Sequence, residues 1–206
     1  MTAIIDYGVG NLFSLSSSLR ALGETALVTD DPNVIRRSAR IILPGVGAFG
    51  DAAELLRRRG MDRVVLEEAS RGKPLMGICL GMQLLFERSY EFGEHEGLGL
   101  LHGEVVDMQG RLPPELKIPQ IGWNGLLPKR PHPLLRDVEP GDCVYFVHSY
   151  YAENCGTSLL ATTDYGRELT AMVARENVMG CQFHPEKSGK TGLSILKAFC
   201  EMGKEA

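Results

Sequence analysis

The chain has no set of cysteines that would make a framework. Cys79, Cys143, Cys155, Cys181 and Cys200 are odd in number and form no C-x-x-C pair, so neither a disulfide frame nor a zinc site is indicated. A basic excess is missing as well. Lys and Arg total 22 against 26 Asp and Glu, giving a net charge of −4 and an isoelectric point near 5.8. Phosphate backbones need a basic face, so a nucleic-acid partner is not expected. No apolar run approaches the roughly 18 residues of a membrane-spanning helix, and Met1 to Asp6 lacks the basic start and long apolar centre of a signal peptide. Membrane attachment is therefore not expected, and the expected compartment is the cytoplasm. Internal repeats, low-complexity tracts and a clear interdomain linker are absent too.

What is present suits one large domain over residues 1–206, with 44% hydrophobic and 23% charged residues, enough to bury a core without staples. In the first half, strand-like runs alternate with helical patterns, which predicts a mostly parallel α/β sheet. The reading gives strands at Ala3 to Asp6, Thr25 to Val28, Ile41 to Leu43 and Pro74 to Ile78. Helices are expected over Asn11 to Leu22, after an Asp51/Glu54 capping box, over Asp62 to Ser70 and over Leu80 to Arg88. From Glu104 onward short strands come without long helices, at Glu104 to Val106, Val144 to His148, Ser158 to Ala161, Leu169 to Ala174 and Val178 to Gln182. Antiparallel additions are expected there. A loop-heavy segment spans Phe92 to Pro119, and a last helix runs from about Gly192 to Met202.

Two distant stretches carry chemistry. Gly77-Ile78-Cys79-Leu80-Gly81 follows an apolar run, and its glycines two before and two after the cysteine are the pattern of a nucleophile elbow. A thiol at a helix N-terminus is also favoured as thiolate. In Gln182-Phe183-His184-Pro185-Glu186, the proline pushes His184 toward extended geometry, which would set Glu186 on the same side as the imidazole. The carboxylate could then fix the ring tautomer and leave the other nitrogen facing a thiol. Either stretch alone reads more plainly as a packed cysteine or a surface turn; their pairing favours the triad Cys79, His184 and Glu186. Cys143, Cys181 and Cys200 sit among apolar neighbours, although Cys181 lies close to His184 in sequence.

Two further motifs mislead. Gly45-Val46-Gly47-Ala48-Phe49-Gly50 matches G-x-G-x-x-G, but it follows a later strand and no strand-ending acid stands about twenty residues on. A glycine-rich turn beside the elbow is better suited to aim N–H groups at an oxyanion, with Val46, Gly47 and Leu80 as the candidates. Gly189-Lys190-Thr191 lacks the earlier glycine of a phosphate loop, because His184 holds that place.

These residues resemble the class I, triad-type glutamine amidotransferases. Within that class they are most similar to the glutaminase subunits of imidazole glycerol phosphate synthase, through Asp6-Tyr-Gly-Val-Gly-Asn11-Leu12, Pro44 to Gly50, Ile121-Gly-Trp123-Asn124, Tyr145 to Tyr150 and Gln182 to Gly189. One departure is Gln120, where the family more often has His; it bears on the interface and not on the chemistry. The resemblance implies a three-layer fold with a central, mostly parallel sheet, and hydrolysis of glutamine through a cysteine thioester without metal or organic cofactor. It also implies a heterodimer with a (β/α)₈-barrel cyclase that takes the ammonia in histidine biosynthesis. Carried over by position, Gly47, Gln83 and Glu91 would contact glutamine, with backbone at Ser149 and Tyr150. Asn11, Trp123, Asn124, Tyr145 and Lys187 would face the cyclase. Glutaminase subunits serving other synthases, a non-catalytic regulatory module and a nucleotide-binding oxidoreductase are the alternatives. The glycine loop, the Gly-Trp-Asn segment and the intact triad weigh against them.

Overall fold

The computed structural model describes residues 1–203. Strand β1 (Thr2–Ile5), helix α1 (Leu12–Ala21), β2 (Ala26–Thr29), α2 (Pro32–Arg37), β3 (Arg40–Leu43), α3 (Phe49–Arg58), α4 (Met61–Ser70) and β4 (Leu75–Ile78) make up the first part. One helical turn, α5 (Leu80–Gln83), is followed by β5 (Arg88–Ser89), β6 (His95–Glu96), β7 (Glu104–Asp107), β8 (Gln120–Pro128), β9 (Cys143–His148) and β10 (Tyr150–Glu153). The chain ends with β11 (Leu159–Asp164), β12 (Glu168–Arg175), β13 (Val178–Cys181) and α6 (Gly189–Glu201).

The main sheet runs β2-β1-β3-β4-β13-β12-β11-β8-β9. Its pairs from β2 to β13 are parallel, and those from β13 to β9 are antiparallel, as the thinning of helices after Glu104 predicts. Strands β1, β3, β4 and β13 are buried at every position, which is why they read as continuous apolar runs rather than alternating ones. Alternation survives in the partners: Ala3, Ile5, Ile41 and Leu43 pack with α3 and α4, whereas Ile4 and Ile42 pack with α1 and α6. The sheet is thus the middle of three layers. A second sheet, β10-β7-β5-β6, lies beside the loop-rich segment.

Four expectations need correction. The helix expected over Leu80 to Arg88 stops at Gln83. Leu84, Leu85 and Phe86 are all buried, which leaves no polar face for a longer surface helix, and their carbonyls accept from the N–H groups of Leu98, Leu101 and Gly99 instead. Asp51 and Glu54 form no capping box, because α3 starts earlier, at Phe49, whose N–H donates to Glu91 Oε2 at 2.6 Å. His184 is extended, but Glu186 is not; it lies in a 3₁₀ turn, Pro185–Lys187. Finally, Gly77 and Gly81 are required by close packing rather than by their own φ. A Cβ on Gly81 would lie 1.9 Å from the Leu43 carbonyl oxygen, and one on Gly77 would lie 2.6 Å from that of Gly81.

Candidate active site

The parallel pairing of β4 with β13 sets Ile78 opposite Cys181, and the Cys79 N–H donates to the Cys181 carbonyl at 2.8 Å. Residues separated by about a hundred positions therefore leave the sheet side by side, at the carboxyl ends of adjacent strands. Cys79 itself takes a positive φ of 54° with ψ −115° at the turn between β4 and α5. A non-glycine residue there is strained and points away from both elements. The glycines tolerate the crowding, and the cysteine bears the unusual dihedral.

His184 caps the 3₁₀ turn and is almost fully buried. Its N–H donates to the Tyr145 carbonyl at 3.0 Å, and its own carbonyl accepts from Ser188 Oγ at 2.6 Å, so the backbone is held from two sides. Nδ1 meets Glu186 Oε1 at 2.9 Å, and Cys79 lies close enough to the ring to act on its charge. Burial alone would lower the imidazole pKa. The thiol and the carboxylate outweigh it and raise the pKa to about 9.

A cavity of about 440 Å³ opens over these groups, lined among others by Asn11, Val46, Gly47, Cys79, Leu80, Gln83, Glu91, Ser149, Tyr150, His184 and Lys187. Gly47 has φ +95° and open space where a Cβ would project, whereas a Cβ on Gly45 would lie 2.7 Å from the Gly81 nitrogen. The loop after β3 thus rests against the elbow at Gly45 and faces the cavity at Gly47. Leu80 is the first residue of its turn, where an N–H has no carbonyl four residues back. Among the described residues, Glu91 is the one acid lining the cavity, and burial raises its pKa despite the bond from the Phe49 N–H. Asp6, by contrast, turns into its own loop and accepts from the Gly8 N–H.

Trp123, Asn124 and Tyr145 do not line the cavity. Trp123 is 55% exposed and stands edge-on to Tyr145 at 6.0 Å, while Lys187 Nζ lies 5.9 Å above the Tyr145 ring. Asn124 accepts from Gln120 Nε2 at 2.9 Å. The motif residues did not suggest that Phe92, Pro119 and His148 also line the cavity. His148 lies inside the Tyr145 to Tyr150 motif, and it is neutral because burial lowers its pKa to about 4. A larger hollow of about 730 Å³ lies elsewhere, around Pro128 to Pro140. Its charged groups are committed, Arg130 to the Leu159 and Ala174 carbonyls, Lys129 to Glu168 and Arg136 to Glu201. Among the described residues, no cluster of three or more His, Cys, Asp or Glu is placed to hold a metal ion, and no helix is long and apolar enough to cross a membrane.

A thiol touching an imidazole, itself held by a carboxylate beneath a small cavity, is suited to acyl transfer. Solved structures of a glutamine amidotransferase and of PurLQS from Thermotoga maritima each share the fold with TM-score 0.73. Their identities are 19% and 21%, covering 95% and 96% of this chain and 98% and 96% of theirs. The imidazole glycerol phosphate synthase subunit HisH of Wolinella succinogenes is 49% identical over 98% of this chain and 100% of its own. The protein of that name from Caldanaerobacter subterraneus subsp. tengcongensis is 49% identical over 99% of both. The glutamine amidotransferase class-I family matches residues 3–202, and the chain belongs to that family and, within it, to the imidazole glycerol phosphate synthase HisH subunits.

Proposed function

We propose that the chain releases ammonia from glutamine by acyl transfer to Cys79 and passes it to a cyclase subunit. The observation that carries this reading is the contact chain Cys79–His184–Glu186 under one cavity. Cys79 Sγ attacks the side-chain amide carbon while the oxyanion draws on the Leu80 N–H and an N–H of Val46 or Gly47. His184 gives its proton to the departing amine, and ammonia leaves with a thioester behind. The imidazole then takes a proton from water, hydroxide adds to the thioester, and glutamate and the Cys79 thiolate separate. Glu186 holds the ring and steadies its cationic form. Glutamine's ammonium would complement Glu91, with its carboxylate at the Ser149 and Tyr150 backbone, and Gly47 and Gln83 complete the pocket.

The partner is read as a (β/α)₈-barrel cyclase that joins the ammonia to a phosphoribulosyl aminoimidazole carboxamide intermediate. The products are imidazole glycerol phosphate and aminoimidazole carboxamide ribotide, in histidine biosynthesis. Full-length relatives named as subunits of that synthase support this, and so do exposed Ile121, Trp123 and Lys187 around the half-buried Tyr145 ring. Asn11, at the cavity rim, and Asn124 extend the proposed contact. The test is to incubate the chain and a barrel cyclase with amide-¹⁵N glutamine and the cyclase substrate. Label is expected in the imidazole ring in step with glutamate release. Glutamate without ring label would refute the partner; neither product would refute the reaction.

A further inference from the structure

Gln182 has a role that its place in the His184 motif does not disclose. It is fully buried, its Oε1 accepts from Gln83 Nε2 at 3.0 Å, and its Nε2 stands 3.8 Å from Cys79 Sγ. The same Gln83 nitrogen donates to the Tyr150 carbonyl at 2.9 Å. A backbone carbonyl can only accept, so Tyr150 dictates that Gln83 presents its NH₂ end. The second hydrogen of that NH₂ requires an acceptor, so Gln182 presents its oxygen to Gln83. Its own NH₂ is then left facing the sulfur. One carbonyl thus fixes the direction of two amides, and the second, Gln182, points its hydrogens toward Cys79.

We propose that Gln182 donates a hydrogen bond to the Cys79 sulfur that favours and aims the thiolate, with Gln83 as its positioning residue. A sulfur anion accepts an N–H more strongly than a neutral thiol does, so the bond discriminates between the two forms. A donor is needed because α5 is a single turn and supplies little of a helix terminus to the sulfur. The same N–H serves again when the thioester breaks and the thiolate leaves. Gln83, with both N–H groups committed, has only its Oε1 to offer glutamine.

The inference rests on Cys79 being the nucleophile, so its test avoids glutamine turnover. Alkylation of Cys79 by iodoacetamide is followed against pH in the chain alone by peptide mass, with exposed Cys143 as the internal reference thiol. Gln182→Met keeps the volume without a donor, and Gln182→Glu keeps the acceptor for Gln83 without one. In both, the Cys79 profile is expected to move to higher pH, with a rate at pH 7 about tenfold lower while Cys143 is unchanged. Thermal unfolding identifies the folded variants. A Cys79 profile that superimposes on the parent in either folded variant overturns the inference and leaves the proposed reaction standing. If the parent's Cys79 reacts no faster than Cys143 and no glutamate is released with the cyclase, the nucleophile reading fails and this inference falls with it.

Discussion

Replacing Cys79 by Ala leaves a methyl group that cannot form a thioester. Glutamine hydrolysis by Cys79→Ala with the cyclase is expected to vanish, while synthesis from added ammonia persists, since ammonia bypasses the lost step. Normal hydrolysis by that variant would move suspicion to Cys181. Glu186→Gln is expected to cost less in kcat than His184→Ala, because the carboxylate steadies the ring without itself moving a proton to or from the substrate. The two buried histidines also tie stability to pH in opposite directions. The His184 pKa is raised from 6.5 to about 9, so its contribution is complete below about 6.5 and is lost as pH rises through about 9. The His148 pKa is lowered to about 4, so stability is lost as pH falls from about 6.5 toward 4, where the unfolded chain binds a proton that the folded chain refuses. Urea unfolding from pH 4 to 9.5 checks both slopes, each at most about 1.4 kcal/mol per pH unit. His184→Gln is expected to flatten the alkaline limb and His148→Gln the acid limb.

The loop after β3 and the turn after β4 show how an element can be required for folding at one glycine and for chemistry at another. Gly81→Ala drives a Cβ into the Leu43 carbonyl, where neither backbone can yield, and a stability loss of at least about 3 kcal/mol is expected. Gly47→Ala meets nothing, and its cost is the positive φ alone, about 1–2 kcal/mol. Its glutamate release with the cyclase is nevertheless expected to fall more than tenfold, because a disfavoured positive φ at residue 47 would disturb the proposed oxyanion N–H groups. Chemical denaturation and steady-state turnover on both variants separate the two kinds of requirement. These elements also show what a sequence discloses. Strands β1, β3, β4 and β13 were legible because burial on both faces makes continuous apolar runs, and the elbow and the His-Pro-Glu stretch were legible because each follows such a run. The nine-residue β8 was not read as a strand, since Gln120 and Leu126 are its only buried members and Gly122 and Gly125 interrupt it. Helix α2 has one buried residue, Ile35, so it carries no stripe. The Gln83–Gln182 relay was invisible for a different reason: amide direction is set by Tyr150, 67 residues from Gln83.

At the scale of the whole molecule, the exposed aromatic face and the cavity share a wall. Tyr145 packs against Trp123 on the outside, while its carbonyl holds the His184 N–H on the inside. A partner that grips Trp123 and Lys187 therefore pulls on the strand that positions the imidazole. Gly45 packs closely against Gly81, and Gly50, already inside α3, against His95, which confines the available motion to the peptides around Gly47. A partner-bound ligand can bias that motion if it binds the form with N–H groups turned inward more tightly. The chain alone is expected to release glutamate slowly, faster with cyclase, and fastest with cyclase and its ligand. Trp123→Ala is expected to weaken cyclase binding by about 2 kcal/mol, as for an aromatic anchor, and to reduce the ligand's stimulation. Glutamate release in the three conditions, for the parent and Trp123→Ala, decides the matter: full activity in the chain alone would exclude partner gating while leaving the chemistry at Cys79 intact. Unaltered affinity and stimulation in Trp123→Ala would place the docking face elsewhere.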